Sequence, residues 1–230
     1  MRWLMVLFIL GACVGNSAEW PGQDFVGAKY MESPLGEGVA PDSDPLIRFD
    51  AFDCTTLVET VLANADQGKL NQIRYADGEI GFQTRNHFIE SDWLRNNSSR
   101  VENVSAKYAK TDVRRVTIDK KSWMKKVHDI DVNFEPEDVE IEYIPYENLG
   151  EFVPDAPMIV LFVTDNPELR DKIGTDLAVV HMGLWLPNGM LRHASSSQGA
   201  VVDVDMNQYV QIRMRDKTNL GIALVEIKNE

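Results

Sequence analysis

The chain has 230 residues, of which 44% are hydrophobic, and its formal net charge is −13. This length and apolar content allow one well-buried domain. The charge argues against a nucleic-acid-binding protein, because the Lys and Arg residues are scattered among acids and form no basic face to neutralise phosphates.

A targeting segment is predicted at residues 1–18. Arg2 precedes a short apolar run that is followed by small residues. The run is too short to span a bilayer as a helix and is typical of a secretory signal peptide. The sequence therefore predicts an exported, periplasmic protein that begins near Glu19. If residues 10–13 (Leu-Gly-Ala-Cys) are instead a lipoprotein signal, the mature chain begins at Cys13 and carries a lipid anchor there.

The first strong element is a helix expected from about Cys54 to Ala65. Apolar residues recur at helical spacing after a capping residue, Asp53, and residues 66–68 (Asp-Gln-Gly) end the pattern. Backbone N–H groups and the helix dipole at the helix start favour a low-pKa thiolate. Because Cys13 is cleaved off or lipidated, Cys54 has no cysteine partner in the mature chain. The alternative is a buried cysteine that packs as a small hydrophobic residue.

A polar and aromatic cluster follows in the middle of the chain. Arg85 can bind a carboxylate through two hydrogen bonds, and Trp93 offers a flat face to a sugar or peptide. The alternative is a surface ion pair of Arg85 or Arg95 with Asp92, beside a core tryptophan. Residues 95–150 are expected to form an insertion, with strands at 113–118 and 139–144 separated by a polar segment.

The last third of the chain is predicted to be a series of strands. The continuous apolar run at 158–163 indicates a strand with both faces covered. Strands expected at 177–186 and 190–195 flank a turn, and strands at 201–204 and 222–227 complete an antiparallel sheet. A cysteine-bearing helix packed on such a sheet is an α+β arrangement.

Two histidines, His181 and His193, lie on this predicted hairpin. A thiol nucleophile needs a base, and the base needs a group that orients it. A two-residue Asn188-Gly189 turn would place the two imidazoles on opposite faces, whereas a loop of three or five residues places them on the same face. We therefore expect the longer loop, with Gly189 at positive φ and Gly183 opposite His193 leaving room for its ring.

A zinc site is the main competing chemistry. His181 and His193 could bind zinc together with a carboxylate, but the sequence has no His-Glu-x-x-His motif and no cysteine pair. The sequence therefore favours a cysteine hydrolase that needs no metal and no cofactor.

The motifs that carry this chemistry resemble a known family. Residues 53–54 (Asp-Cys), 181–185 (His-Met-Gly-Leu-Trp), 188–189 (Asn-Gly) and 193–195 (His-Ala-Ser) resemble the NlpC-type, papain-like cell-wall hydrolases. Longer stretches, among them residues 52–59 (Phe-Asp-Cys-Thr-Thr-Leu-Val-Glu), 85–88 (Arg-Asn-His-Phe) and 193–196 (His-Ala-Ser-Ser), resemble one branch of these hydrolases. Within that superfamily the chain resembles the bacterial N-acetylmuramoyl-L-alanine amidase-like family, formerly a domain of unknown function. The resemblance covers roughly residues 45–227 and implies a papain-like NlpC-type α+β fold, with one domain at 19–230.

The resemblance implies peptidoglycan fragments as substrates, in particular 1,6-anhydro-muropeptides, and cleavage between the lactyl group of muramic acid and L-Ala. Cys54 would be the nucleophile, His181 the base and His193 the residue that orients it, with the Cys54 backbone N–H as an oxyanion donor. The residues expected to bind substrate are Arg85, His87, Asp92, Trp93, Ser195 and Ser196. Two alternatives remain open: an endopeptidase that cuts γ-D-Glu from the diamino acid of the same stem peptide, and a non-catalytic muropeptide-binding module.

Overall fold

The computed structural model describes residues 20–228. The predicted signal segment 1–18 and Cys13 lie outside these residues. None of the helices in the described part of the chain combines the length and the hydropathy that a membrane span requires.

Within residues 20–228 a single mostly antiparallel sheet is flanked by short helices. The strands are β1 (Lys29–Tyr30), β2 (Ala51–Phe52), β3 (Val101–Asn103), β4 (Asp112–Ile118), β5 (Glu137–Pro145), β6 (Met158–Thr164), β7 (Val179–Trp185), β8 (Met190–Ser195), β9 (Ala200–Asp205) and β10 (Asn219–Ile227). The helices are α1 (Cys54–Leu62), α2 (Gln67–Arg74), α3 (Leu94–Asn96), α4 (Lys120–His128), α5 (Pro167–Ile173) and α6 (Met206–Arg213). The α+β class predicted from the sequence is confirmed.

The strand order is β2-β1-β9-β8-β7-β6-β10-β5-β4, and β3 pairs with the end of β10. Among the strand pairs of residues 20–228, the short β1–β2 pair is parallel and the others are antiparallel. The central strand β6 is buried along its whole length, as its continuous apolar run predicts. Helices cover both faces of the sheet at this point.

Alternate residues of β6 point into two separate cores. Leu161 joins Val58 of α1 and Met182 of β7 on one face. Phe162 joins Trp185 and Val210 of α6 on the other face. The centre of the sheet is therefore packed between α1 and α6. The side chains of His181 on β7 and His193 on β8 project from this part of the sheet.

Candidate active site

Cys54 is held at the start of α1 by a reciprocal capping box. The side chain of Asp53 accepts a hydrogen bond from the backbone N–H of Thr56 (2.7 Å), and the Thr56 hydroxyl accepts one from the backbone N–H of Asp53 (3.0 Å). This arrangement satisfies helix-end donors and fixes the first turn. The Asp-Cys-Thr-Thr sequence thus places the thiol at the helix terminus, as predicted.

The hairpin that carries the histidines has a three-residue loop, residues 187–189. The backbone N–H of Leu186 donates to the carbonyl of Met190 (2.8 Å), and that of Gly189 donates to the carbonyl of Leu186 (2.9 Å). Gly189 has φ +82°, a conformation that favours glycine. Leu184 pairs with Arg192 across the hairpin, so in the same register the next residues, Gly183 and His193, lie opposite each other. The prediction of a three- or five-residue loop is confirmed.

This register brings the two imidazoles together. His181 Nε2 lies 2.8 Å from His193 Nδ1, and the two rings are nearly perpendicular. One of these nitrogens must donate and the other accept, so the bond fixes the tautomers of both rings relative to each other.

Gly183 makes this approach possible. A Cβ atom on Gly183 would lie 2.8 Å from the Arg192 carbonyl oxygen and 3.0 Å from His193 Cβ. Gly183→Ala must therefore displace strand β8, and we expect a loss of about 1–3 kcal/mol in unfolding free energy. Because an error of about 1 Å in a catalytic group can cost ~100-fold, we expect turnover to fall by that order.

Chemical denaturation and steady-state kinetics of Gly183→Ala measure both effects. Gly150→Ala is the matched control, because a Cβ at Gly150 meets no atom within 4 Å. Equal and small changes in unfolding free energy and turnover in the two variants would show that close packing at Gly183 is not needed for the site.

Two cavities meet beside the thiol. The first, which we call the thiol cavity, has a volume of about 210 Å³ and is lined by Cys54, His181 and a set of apolar side chains. The second, which we call the polar cavity, is about 500 Å³. Thr55 and His87 line both cavities. Cys54 and His181 therefore line one continuous cleft, and His193 lies buried behind His181.

The reacting groups are neutral in this cleft. Cys54 is partly buried, and burial, together with the nearby Asp53 carboxylate, raises the pKa of its thiol to about 11. Burial lowers the pKa of His181 to about 3 and that of His193 to about 4. The sequence-based expectation of a low-pKa thiolate is wrong, because desolvation outweighs the helix start. A thiol and an unprotonated base face the substrate instead.

A neutral thiol makes a specific prediction for alkylation. Because the thiolate is the reactive species, the inactivation rate with iodoacetamide is expected to be low at pH 7. It should rise ~10-fold per pH unit toward pH 11, since the raised pKa leaves little thiolate below it. Mass spectrometry of Cys54 alkylation against pH measures this. A rapid, pH-independent rate between pH 5 and 8 would instead indicate a thiolate–imidazolium pair.

Helix α6 contributes residues behind the histidines that the sequence did not reveal. The Tyr209 ring lies 5.0 Å from that of His193, and the Arg213 guanidinium lies 5.6 Å from the ring of Phe162. The positive charge of Arg213 adds to burial in lowering the pKa of both histidines. No motif marks these residues, because they reach the site only through the packing of α6 on the sheet.

Two of the predicted substrate-binding residues line the cleft. Arg85 lines the polar cavity, but its guanidinium is already hydrogen-bonded to Glu37 (2.6–2.9 Å) and Asp42 (2.8 Å). His87 lines both cavities, and its Nε2 lies 2.6 Å from the carbonyl oxygen of Phe82. Arg85 therefore organises the cavity wall, whereas His87 is positioned to meet a ligand.

The other four predicted substrate-binding residues lie elsewhere, which corrects the sequence-based assignment. Trp93 is fully buried in the core, and Asp92 is buried beside it in an ion pair with Lys120. The Ser195 hydroxyl is buried and bonded within the turn that follows β8, and Ser196 is exposed on that turn. Neither serine lines the two cavities. The alternative of a core tryptophan is correct, although Asp92 pairs with a lysine and not an arginine.

The predicted insertion, in contrast, supplies part of the site. Strands β4 and β5 pair along their lengths, and between them α4 places Trp123 and His128 in the wall of the polar cavity. Sequence reasoning expected the two strands but not this helix, since its apolar residues are few. In the part of the chain that the structure describes, no three His, Cys, Asp or Glu side chains are grouped to hold a metal ion.

Several known proteins are similar to this chain. A DUF1460-family protein from Legionella pneumophila superposes with a TM-score of 0.82 at 26% identity, covering 91% of this chain and 87% of its own. An N-acetylmuramoyl-L-alanine amidase from Bacteroides uniformis gives 0.69 at 25% identity, covering 91% and 96%. A Bacteroides fragilis protein provisionally named a xylanase gives 0.68 at 25% identity, covering 90% and 99%.

No curated protein sequence matches the chain. The sequence model of the AmiA-like family, described as N-acetylmuramoyl-L-alanine amidase-like, matches residues 21–218. Because this match covers most of the chain, the protein belongs to the N-acetylmuramoyl-L-alanine amidase-like family.

Proposed function

We propose that this protein is a cysteine-dependent amidase that hydrolyses the bond between the lactyl group of N-acetylmuramic acid and L-Ala in muropeptides, in particular 1,6-anhydro-muropeptides. The observation that carries the proposal is the shared cleft of Cys54 and His181, with His181 Nε2 2.8 Å from His193 Nδ1. Membership of an amidase-like family makes the protein a hydrolase of this general kind. The thiol and the muramoyl bond are the specific parts of the proposal.

The hydrogen bond between the histidines sets their roles. If His181 Nε2–H donates to His193 Nδ1, His181 Nδ1 is left unprotonated and can accept a proton from the Cys54 thiol. Burial supports this role, because it holds the pKa of His181 at about 3 and keeps the ring neutral at physiological pH. His193 therefore positions His181, and the base is ready before substrate arrives.

The reaction then follows acyl-transfer chemistry. Cys54 Sγ attacks the lactyl carbonyl as its proton passes to His181, which forms a tetrahedral oxyanion. The Cys54 backbone N–H at the helix start stabilises this oxyanion. The C–N bond breaks, His181 returns the proton to the amine of L-Ala, and a thioester remains on Cys54. Water, deprotonated by His181, hydrolyses the thioester and releases the free thiol.

The fold is consistent with a papain-like, NlpC-type enzyme. In such an enzyme the cysteine begins a helix that packs on an antiparallel sheet, and the histidine follows on a sheet strand. Here α1 carries Cys54 and packs against β7, which carries His181. We assign the whole mature chain, residues 19–230, to one such domain with an insertion at 95–150. Export to the periplasm, with or without lipidation at Cys13, would bring it to peptidoglycan fragments.

The carboxylates of the cleft do not favour a glycoside hydrolase. Such enzymes use a pair of carboxyl groups, one acid and one base or nucleophile, on either side of the bond. Of the acids that line the polar cavity, Asp42 is paired with Arg85 and Asp53 caps α1. Asp44 alone lacks such a structural role, so the cleft offers no catalytic pair of acids.

Product analysis on a defined 1,6-anhydro-muropeptide tests the proposal. We expect mass spectrometry to find a free sugar and an intact peptide that begins with L-Ala. A sugar that still carries L-Ala-D-Glu would instead assign the protein as the γ-D-glutamyl endopeptidase. An intact substrate that binds without turnover would assign it as a non-catalytic binding module.

A further inference from the structure

We propose that the polar cavity is the subsite for the uncharged muramoyl sugar, and that the carboxylate-bearing stem peptide is directed to the side of the thiol cavity. The assignment of these two halves rests on the proposed amidase function. An amide that reacts at Cys54 must extend in two directions from the thiol, one for the acyl half and one for the amine half. The two cavities provide these directions because they meet at Thr55 and His87.

The first observation is an aromatic wall in the polar cavity. The Trp123 ring centroid lies 4.8 Å from those of both His87 and His128, and Phe82 lies within 5.0 Å of the same two imidazoles. Trp123 is only half-buried and lines the cavity, so part of its indole ring is open to a ligand there. A flat, rigid aromatic face suits the C–H face of a pyranose ring. The thiol cavity has no corresponding surface, since Leu and Val side chains dominate its lining.

The second observation is a hydrogen-bond acceptor at the junction of the cavities. A carbonyl oxygen can only accept, so His87 Nε2, 2.6 Å from the Phe82 carbonyl, must carry the proton. His87 Nδ1 is then an unprotonated acceptor, and burial lowers the pKa of the ring to about 3, so it remains one at neutral pH. Sugar hydroxyls and the acetamido N–H are donors that match it. A carboxylate has no proton to offer.

The third observation is the charge of the polar cavity. The acids Asp42, Asp44 and Asp53 line it, and its two cations are already neutralised: Arg85 by Glu37 and Asp42, and Arg74 by Glu59. The cavity is therefore net negative, and it repels the carboxylates of a stem peptide while it accepts a neutral sugar. No charged side chain lines the thiol cavity.

Binding to the full chain carrying Cys54→Ala tests the subsite without turnover. The probes are 1,6-anhydro-N-acetylmuramic acid with its lactyl group capped as the methylamide, and the free stem tripeptide, each titrated by calorimetry. We expect Trp123→Ala to weaken binding of the capped sugar about tenfold and to leave binding of the tripeptide unchanged. Trp123→Phe should retain most of the affinity, which guards against an effect of misfolding.

Tyr108→Ala is the matched control, because Tyr108 is an exposed aromatic residue that stacks on Phe152 away from the cleft. Asp44→Asn adds a charge test: it removes one negative charge from the wall of the polar cavity and should raise the affinity for the tripeptide, because the cavity then repels the peptide carboxylates less. Loss of tripeptide binding in Trp123→Ala, with unchanged sugar binding, would overturn the proposal by reversing the two halves. Unchanged affinity of Trp123→Ala for both the capped sugar and the tripeptide would overturn the proposal as well.

The outcome is separable from that of the amidase proposal. If product analysis shows cleavage at the endopeptidase bond but Trp123→Ala still weakens binding of the capped sugar, the subsite assignment stands and the bond assignment is wrong. If the products are free sugar and a peptide that begins with L-Ala, but Trp123→Ala leaves the affinity for the capped sugar unchanged, the bond assignment stands and the subsite assignment is wrong.

Discussion

Replacement of Cys54 by serine is expected to lower turnover on a muropeptide by a factor on the order of 10⁶, the loss typical of removing a hydrolase nucleophile. A serine hydroxyl would need a stronger base than His181, whose pKa is lowered to about 3. The fold should be unaffected. The thiol lies 3.9 Å from the Thr55 hydroxyl and packs at the edge of the core, and the capping box of α1 does not involve it.

Steady-state kinetics and thermal unfolding of Cys54→Ser and Cys54→Ala measure these two expectations together. Full activity in Cys54→Ala would contradict every mechanism in which the thiol attacks the substrate. Activity in Cys54→Ala that disappears on treatment with EDTA would support the competing zinc mechanism.

Removal of His181 is expected to have the second largest effect. Without the base the thiol, with a pKa raised to about 11, cannot lose its proton near neutral pH, so His181→Ala should cost ~10⁴–10⁶ in kcat. His193→Ala should cost less, about 10²–10⁴, because it removes the group that fixes the ring and tautomer of His181 but leaves the base itself. In both variants KM should change much less than kcat.

The double variant provides the control. If the two histidines act as a unit, His181→Ala combined with His193→Ala should be no worse than His181→Ala alone. Additive losses would show that His193 acts independently of His181, for example on the substrate. Unchanged kcat in His193→Ala would remove it from the proposed triad.

The local parts of this site were predictable from the sequence. The capping residue and the spacing of apolar residues place Cys54 at the start of a helix. The turn between β7 and β8, which is formed by neighbouring residues, determines the hairpin register. Even there, the Asn188-Gly189 dipeptide taken alone suggests a two-residue turn, and only the requirement that both histidines share a face selects the longer loop. The observed residues 187–189 agree with that functional argument.

The non-local parts were not predictable in the same way. Asp92 and Trp93 have residue types that suit a binding site, but burial is decided by packing among distant elements, and both lie in the interior. Trp123 lies within the predicted insertion, far from Cys54 in the sequence, and no periodic pattern marks it as a wall of the cleft. The prediction of a low thiol pKa was wrong for a similar reason. The local sequence predicts the start of the helix, but the desolvation that raises the thiol pKa depends on the whole fold.

The central claim is that Cys54 forms a covalent bond with the acyl group of the sugar, and one measurement tests it directly. The protein is mixed with a defined 1,6-anhydro-muropeptide, quenched in acid within milliseconds to seconds, and analysed by intact-protein and peptide mass spectrometry. We predict a thioester on Cys54 whose added mass is that of the muramoyl acyl group without any amino acid. An adduct that also contains L-Ala-D-Glu would contradict the proposed bond, and turnover without any adduct on Cys54 at any quench time would contradict the proposed nucleophile.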